Sequence, residues 1–119
     1  MAKNPIVHFE IGCTDTVETK AFLQGLFDWE FDGPESGPTI ETGSSSGLHG
    51  HLVALAPEWG PYVTVYVQVD DLVESVAKAR SLGGKVLVEP VAIPGQGRFA
   101  WITPPEGQII GLWEVETGR

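Results

Sequence analysis

Two side chains with acid–base character share one face of the first strand-like run of this chain. In Ile6-Val7-His8-Phe9-Glu10-Ile11, strict alternation sends Val7, Phe9 and Ile11 one way and Ile6, His8 and Glu10 the other. An imidazole beside a carboxylate shifts the protonation of both groups and can form a proton-transfer pair; the same two groups also make simple structural ion pairs. A second polar row runs along Tyr62-Val63-Thr64-Val65-Tyr66-Val67-Gln68-Val69, with Tyr62, Thr64, Tyr66 and Gln68 opposite four valines. Hydroxyls, an amide and large rings on one face suit a half-wet cavity and a polar ligand, or else a subunit seam. His49 and His51 flank Gly50 on one strand face, as part of the same chemistry or as a solvated edge. Arg98 follows the glycine-rich Pro94-Gly95-Gln96-Gly97 and could clamp a ligand carboxylate bidentately, or pair with one of the chain's 16 acidic residues. Four indoles, Trp29, Trp59, Trp101 and Trp113, either fill a small core or offer flat apolar surface to a ligand. Cys13 is the single cysteine, so no internal disulfide can form, and it reads as a small buried hydrophobe.

The elements that must position these groups occur twice. Thr14–Ala21 resembles Asp70–Ala77 at a constant spacing of 56 residues, from Asp15 to Asp71. Asp15 with Glu18, and Asp71 with Glu74, form capping-box patterns that start a helix. Val17, Ala21, Phe22 and Leu26 read as the apolar stripe of the first helix, and Val73, Val76, Ala77 and Leu82 as that of the second. Gly83-Gly84 stops the second helix. Further strands are predicted at Trp29–Phe31, Pro38–Thr42 and Leu48–Ala54, with a Gly43–Gly47 loop between the last two, and at Lys85–Val88, Arg98–Ile102 and Gln108–Val115. The pocket-shaping loops are read at Asp32–Pro38 and Val91–Gly97. The chain is therefore an α+β protein of two βαβββ modules in one domain, residues 1–119: about 5–54, a linker at 55–61, and about 62–116. Each half-sheet carries one helix and needs a partner for its other face.

Composition narrows the function classes. The 119 residues are 42% hydrophobic and 19% charged, as in a globular domain with a real core. A formal charge of −9 repels phosphate backbones and anionic headgroups, so neither nucleic acid nor membrane is expected as a partner. No apolar run approaches the ~20 residues of a membrane span, and a cytoplasmic location is expected.

The order and spacing of several short pieces make the family nameable. They are His8-Phe9-Glu10-Ile11 leading to Asp15, Leu26-Phe27-Asp28-Trp29, Val69-Asp70-Asp71, Gly83-Gly84-Lys85-Val86, Pro94–Ala100, and Pro105-Glu106-Gly107 before Leu112-Trp113-Glu114. From residue 5 to 116 the sequence resembles the vicinal oxygen chelate superfamily of glyoxalases, bleomycin-resistance proteins and extradiol dioxygenases. The resemblance implies a curved half-barrel sheet around a central cavity, onto which the strand faces through His8 and Thr64 look. It also implies four metal-ligand positions, which fall here on His8, His51, Thr64 and Gly111. Only the two histidines can ligate well, and a divalent ion needs three or four ligands, so a resident cofactor is not expected; His8 and His51 could hold a divalent metal weakly. Trp113 shares strand parity with Gly111 and is expected to project where that glycine leaves space.

The resemblance thus implies a small-molecule-binding protein with a degenerate metal site, taking a partly apolar metabolite or drug-like compound. Tyr62, Thr64, Tyr66, Gln68, Arg98 and Trp113 are the ligand-binding candidates. Its alternatives are a glyoxalase-like lyase, isomerase or dioxygenase in which His8 and Glu10 are catalytic and His51 assists, and a non-catalytic regulatory or accessory domain. Short chains of this family pair, so a homodimer is expected.

Overall fold

The computed structural model describes residues 4–43, 45–55 and 60–116. Trp59, most of the 55–61 linker and Ser44 of the Gly43–Gly47 loop lie outside the described residues. In chain order the elements are β1 (Ile6–Cys13), α1 (Thr16–Phe27), β2 (Glu30–Asp32), β3 (Thr39–Glu41), β4 (Gly50–Ala54), β5 (Tyr62–Gln68), α2 (Leu72–Ser81), β6 (Lys85–Ile93), β7 (Gly97–Thr103) and β8 (Ile110–Val115). The α+β succession is strand, helix and three strands, twice over. The chain divides into two compact units, His8–Thr64 and Met1–Val7 with Val65–Arg119.

In the His8–Thr64 unit, β1 pairs in parallel with β4, and β3 joins β4 and β2 in antiparallel fashion. Phe9 and Ile11 point from β1 into a core of Cys13, Ile40 and Leu52, closed by Leu23, Trp29 and Phe31. That is the apolar side of the alternation, and it turns His8 and Glu10 to the opposite face. α1 starts where its capping box demands, with Asp15 Oδ1 accepting from the Glu18 amide at 2.9 Å. It ends on Asp28 in the left-handed region (φ 58°), whose N–H bonds Gln24 O at 3.0 Å. The expected stripe of α1 does not face the sheet: Val17 and Phe22 are 54% and 66% exposed, and Ala21 and Leu26 are exposed too. At 3.6 residues per turn Val17 and Phe22 stand about 140° apart, so they cannot share a face. Leu23 contributes instead to the core.

In the second unit β5 pairs in parallel with β8, β8 is antiparallel to β7, and β7 to β6. Val69, Leu72, Val76, Ala100 and Leu112 form its core. Asp71 caps α2 through the Glu74 amide at 3.1 Å. Leu72 and Val76 are the buried positions of α2, while Val73, Ala77 and Leu82 of the expected stripe are exposed. The i, i+4 pair nearest the cap sets the helix's phase on the sheet. Gly83, at φ 95°, ends the helix as its sequence foretells.

The segment expected as a loop at Val91–Gly97 is largely strand. β6 runs on to Ile93, opposite Gly97, and only Pro94–Gln96 turn, with the Gln96 amide on Ile93 O at 2.9 Å. Of the two register shifts, between Val86 and Val88 and between Val88 and Val91, the second spans Pro90, which has no N–H for the ladder. The polar row of β5 also differs from a half-wet wall. Thr64 and Tyr66 are buried, and Val63, on the valine side, is 72% exposed.

Candidate functional site

β1 and β4 run side by side with Glu10 opposite His51 in register. Gly50 makes this approach possible: a Cβ there would collide with the carbonyl oxygen and ring of Phe9. The result is a hydrogen-bonded file of four side chains in the His8–Thr64 unit. Tyr62 O–H donates to Glu10 Oε2, Glu10 Oε1 lies 3.1 Å from His51 Nε2, and His51 Nδ1 lies 2.6 Å from His8 Nε2. The two imidazole rings are 4.9 Å apart, centre to centre. Glu10 is only 4% exposed, so its carboxylate has exchanged water for these donors.

Proton bookkeeping follows from the donors available. A carboxylate accepts, so His51 Nε2–H donates to Glu10; in the neutral His51 ring Nδ1 then accepts from His8 Nε2–H. That tautomer leaves the basic lone pair of His8 on Nδ1. Burial, and next the repulsion between two imidazoles when both are protonated, push the His8 pKa down to about 4, against a smaller upward pull from Glu10. His8 is therefore neutral at pH 7.

This has a consequence for acid stability. A histidine at 6.5 when unfolded and about 4 when folded takes up its proton in the unfolded chain first. Stability contributed by neutral His8 is complete above pH 6.5 and is lost as pH falls from 6.5 towards 4. After allowance for partial solvent screening the loss is of the order of 1–2 kcal/mol. His8→Asn should flatten the urea-midpoint profile across that window. An unchanged slope would show that His8 does not titrate as its surroundings dictate.

The remaining candidates are placed as follows. Tyr66 is buried with its ring over Gly111, where any Cβ would run into it, and its oxygen accepts from Trp101 Nε1 at 2.9 Å. Phe99 meets Tyr66 edge-on at 6.4 Å. The space above Gly111 thus belongs to Tyr66; Trp113 is half-buried, next to Phe99 in register, and stands beside Gly97. Thr64 is buried, and Gln68, half-buried, bonds Pro5 O through its backbone amide at 2.8 Å. Arg98 is paired with Glu114, Nε to Oε1 at 2.7 Å. The other oxygen of Glu114 accepts from the Leu72 amide at 3.3 Å, at the N-terminus of α2. His49 stays at the surface, its Nδ1 on the Thr42 amide at 3.2 Å. Gly12, unremarked in the sequence, matters here, and so do Gly50 and Glu114 in positioning roles not read there. A glycine inside a strand run was the available signal for the first two.

His8 and His51 stand at hydrogen-bond spacing, closer than two nitrogens that share one divalent ion. Two imidazoles on one tetrahedral ion at ~2.0–2.1 Å would hold their nitrogens roughly 3.3 Å apart. The facing nitrogens of His8 and His51 are 2.6 Å apart, a hydrogen-bond separation, and the other nitrogen of His51 is on Glu10. Among the described residues no group of three His, Cys, Asp or Glu side chains is arranged to hold a metal. Among them, too, no helix is long and apolar enough to cross a membrane.

No family model matches the chain. It is 33% identical over 117 residues to the "Putative glyoxylase CFP32" of Mycobacterium tuberculosis, an alignment covering 89% of this chain and 44% of that protein. It is 27% identical over 124 residues to the anthracycline biosynthesis protein DnrV of Streptomyces peucetius, covering 88% and 45%. The chain thus spans under half the length of these curated relatives. Among solved structures, the hypothetical protein BH1468 from Bacillus halodurans superposes with a TM-score of 0.70 at 16% identity, over 99% of both chains. The Mn(II)-bound glyoxalase from Novosphingobium aromaticivorans gives 0.65 at 18% identity, over 94% of this chain and 40% of that one.

Proposed function

The chain belongs to the vicinal oxygen chelate superfamily of glyoxalase-like proteins, and from that premise we propose that it binds a small, partly apolar molecule without a resident metal ion. The observation that carries this reading is the 2.6 Å hydrogen bond between His8 and His51. It takes up, with a shared proton, one nitrogen of each ring, and the second nitrogen of His51 is on Glu10. Phe99 and Trp113, paired in register and both half-buried, are aromatic side chains of the kind such a ligand would cover. A homodimer in the cytoplasm completes the reading.

Native mass spectrometry and elemental analysis of protein purified without a polyhistidine tag test it. The expected result is a co-purifying organic molecule and metal well below one ion per chain. Near-stoichiometric Zn, Ni, Mn or Fe would overturn the metal-free reading.

A second reading is acid–base catalysis on the bound molecule, favoured by the continuity of the file from His8 through His51 to Glu10. A proton taken from a C–H or O–H acid by His8 Nδ1 would be matched by passage of the Nε2 proton to His51, and of the His51 Nε2 proton to Glu10. A ring with a pKa of about 4 is always available at pH 7 but drives the transfer weakly, so the buried carboxylate has to share the charge. His8→Ala should then abolish deuterium wash-in to the ligand from D₂O while leaving its tryptophan-quench affinity intact.

A further inference from the structure

Tyr62 is a ligand-binding candidate by sequence, yet its phenol is turned onto Glu10. We propose that Tyr62 is a positioning residue: it holds the Glu10 carboxylate so that the second oxygen stays on His51, and thereby fixes which nitrogen of His51 carries the proton. This deepens the acid–base reading above.

Three observations support it. First, the carboxylate is tied at both oxygens, Oε2 by the Tyr62 hydroxyl and Oε1 by His51 Nε2 at 3.1 Å. The terminal torsion of a glutamate is broad, so a carboxylate held at one oxygen can swing; held at both it cannot. Second, Gly12 stands two residues beyond Glu10 on the same face of β1, and a Cβ at that position would fall against the Tyr62 ring. The missing side chain is what lets the ring lie across β1 and reach the carboxylate. Third, Glu10 is 4% exposed, so bulk water does little to replace a lost donor. With the carboxylate fixed, His51 keeps its proton on Nε2 and offers Nδ1 to His8. With the carboxylate free to turn, His51 can settle in either tautomer.

The ring nitrogens of the three histidines can be read by long-range ¹⁵N–¹H correlation at one mildly alkaline pH, in the full chain with no ligand added. The wild-type His51 should give a single Nε2–H pattern. Tyr62→Phe keeps the ring and removes only the donor, and should turn that pattern into a mixture of tautomers. Gly12→Ala, which displaces the ring, should do the same, and the double variant should go no further than either single one. A native-folded Tyr62→Phe that keeps the pure Nε2–H pattern would overturn the proposal, as would a wild-type His51 protonated on Nδ1. If Gly12→Ala fails to fold, Tyr62→Phe decides alone. The measurement needs no substrate, so its failure is distinguishable from a failure to find turnover.

Discussion

Gly50→Ala is expected to be among the most damaging single-methyl changes in the protein. A Cβ at residue 50 collides with the backbone carbonyl of Phe9, which cannot rotate away as a side-chain tip would. Overpacking ordinarily costs about 1–3 kcal/mol, and an obstacle made of backbone places this case at the upper end. The strain falls on the β1–β4 ladder, where Phe9 faces Gly50 and Glu10 faces His51. The variant should therefore lose stability and the His51–Glu10 pair together. A fall in the urea midpoint, accompanied by loss of the His51 Nε2–H signal, is the expected outcome. A variant as stable as the wild type would mean that the two strands lie further apart than described.

Glu10→Ala should cost about 3 kcal/mol, because it strands donors as well as removing a charge. The Tyr62 hydroxyl and the His51 N–H both lose a buried acceptor, and burial makes an unmet donor expensive. Glu10→Gln keeps the volume and one carbonyl oxygen, so it should cost less, about 1 kcal/mol, while losing the negative charge at the end of the file. The ratio between the two variants is informative. Equal losses would show that charge, not hydrogen bonding, holds the site; no loss in either would show that the carboxylate is not integrated as described. Under the acid–base reading both variants lose proton transfer.

Much of the architecture was legible in the residues. The two aspartate N-caps, the Gly83-Gly84 stop and the alternation of β1 are local signals, settled within a few residues, and each stands where it was expected. Helix phase was less legible. Val17, Phe22 and Leu26 look like a stripe when read as a run, but the sheet beneath selects Leu23, since a helix docks by one narrow face. β6 runs past its expected end at Val88 and across Pro90, because the bulge that accommodates this residue is set by pairing with β7.

The site divides in the same way. That His8 and Glu10 face one side together was decided by period-two alternation, a property of the chain alone. That His51 stands between them, and that Tyr62 closes the other end, depended on strand register and on two missing side chains, Gly12 and Gly50. Arg98, a ligand clamp by residue type, stands on Glu114, sixteen positions along the chain. Alternation and capping are written into neighbouring residues, whereas partners tens of positions apart meet only when strands pair, and pairing is decided by the packed core as a whole.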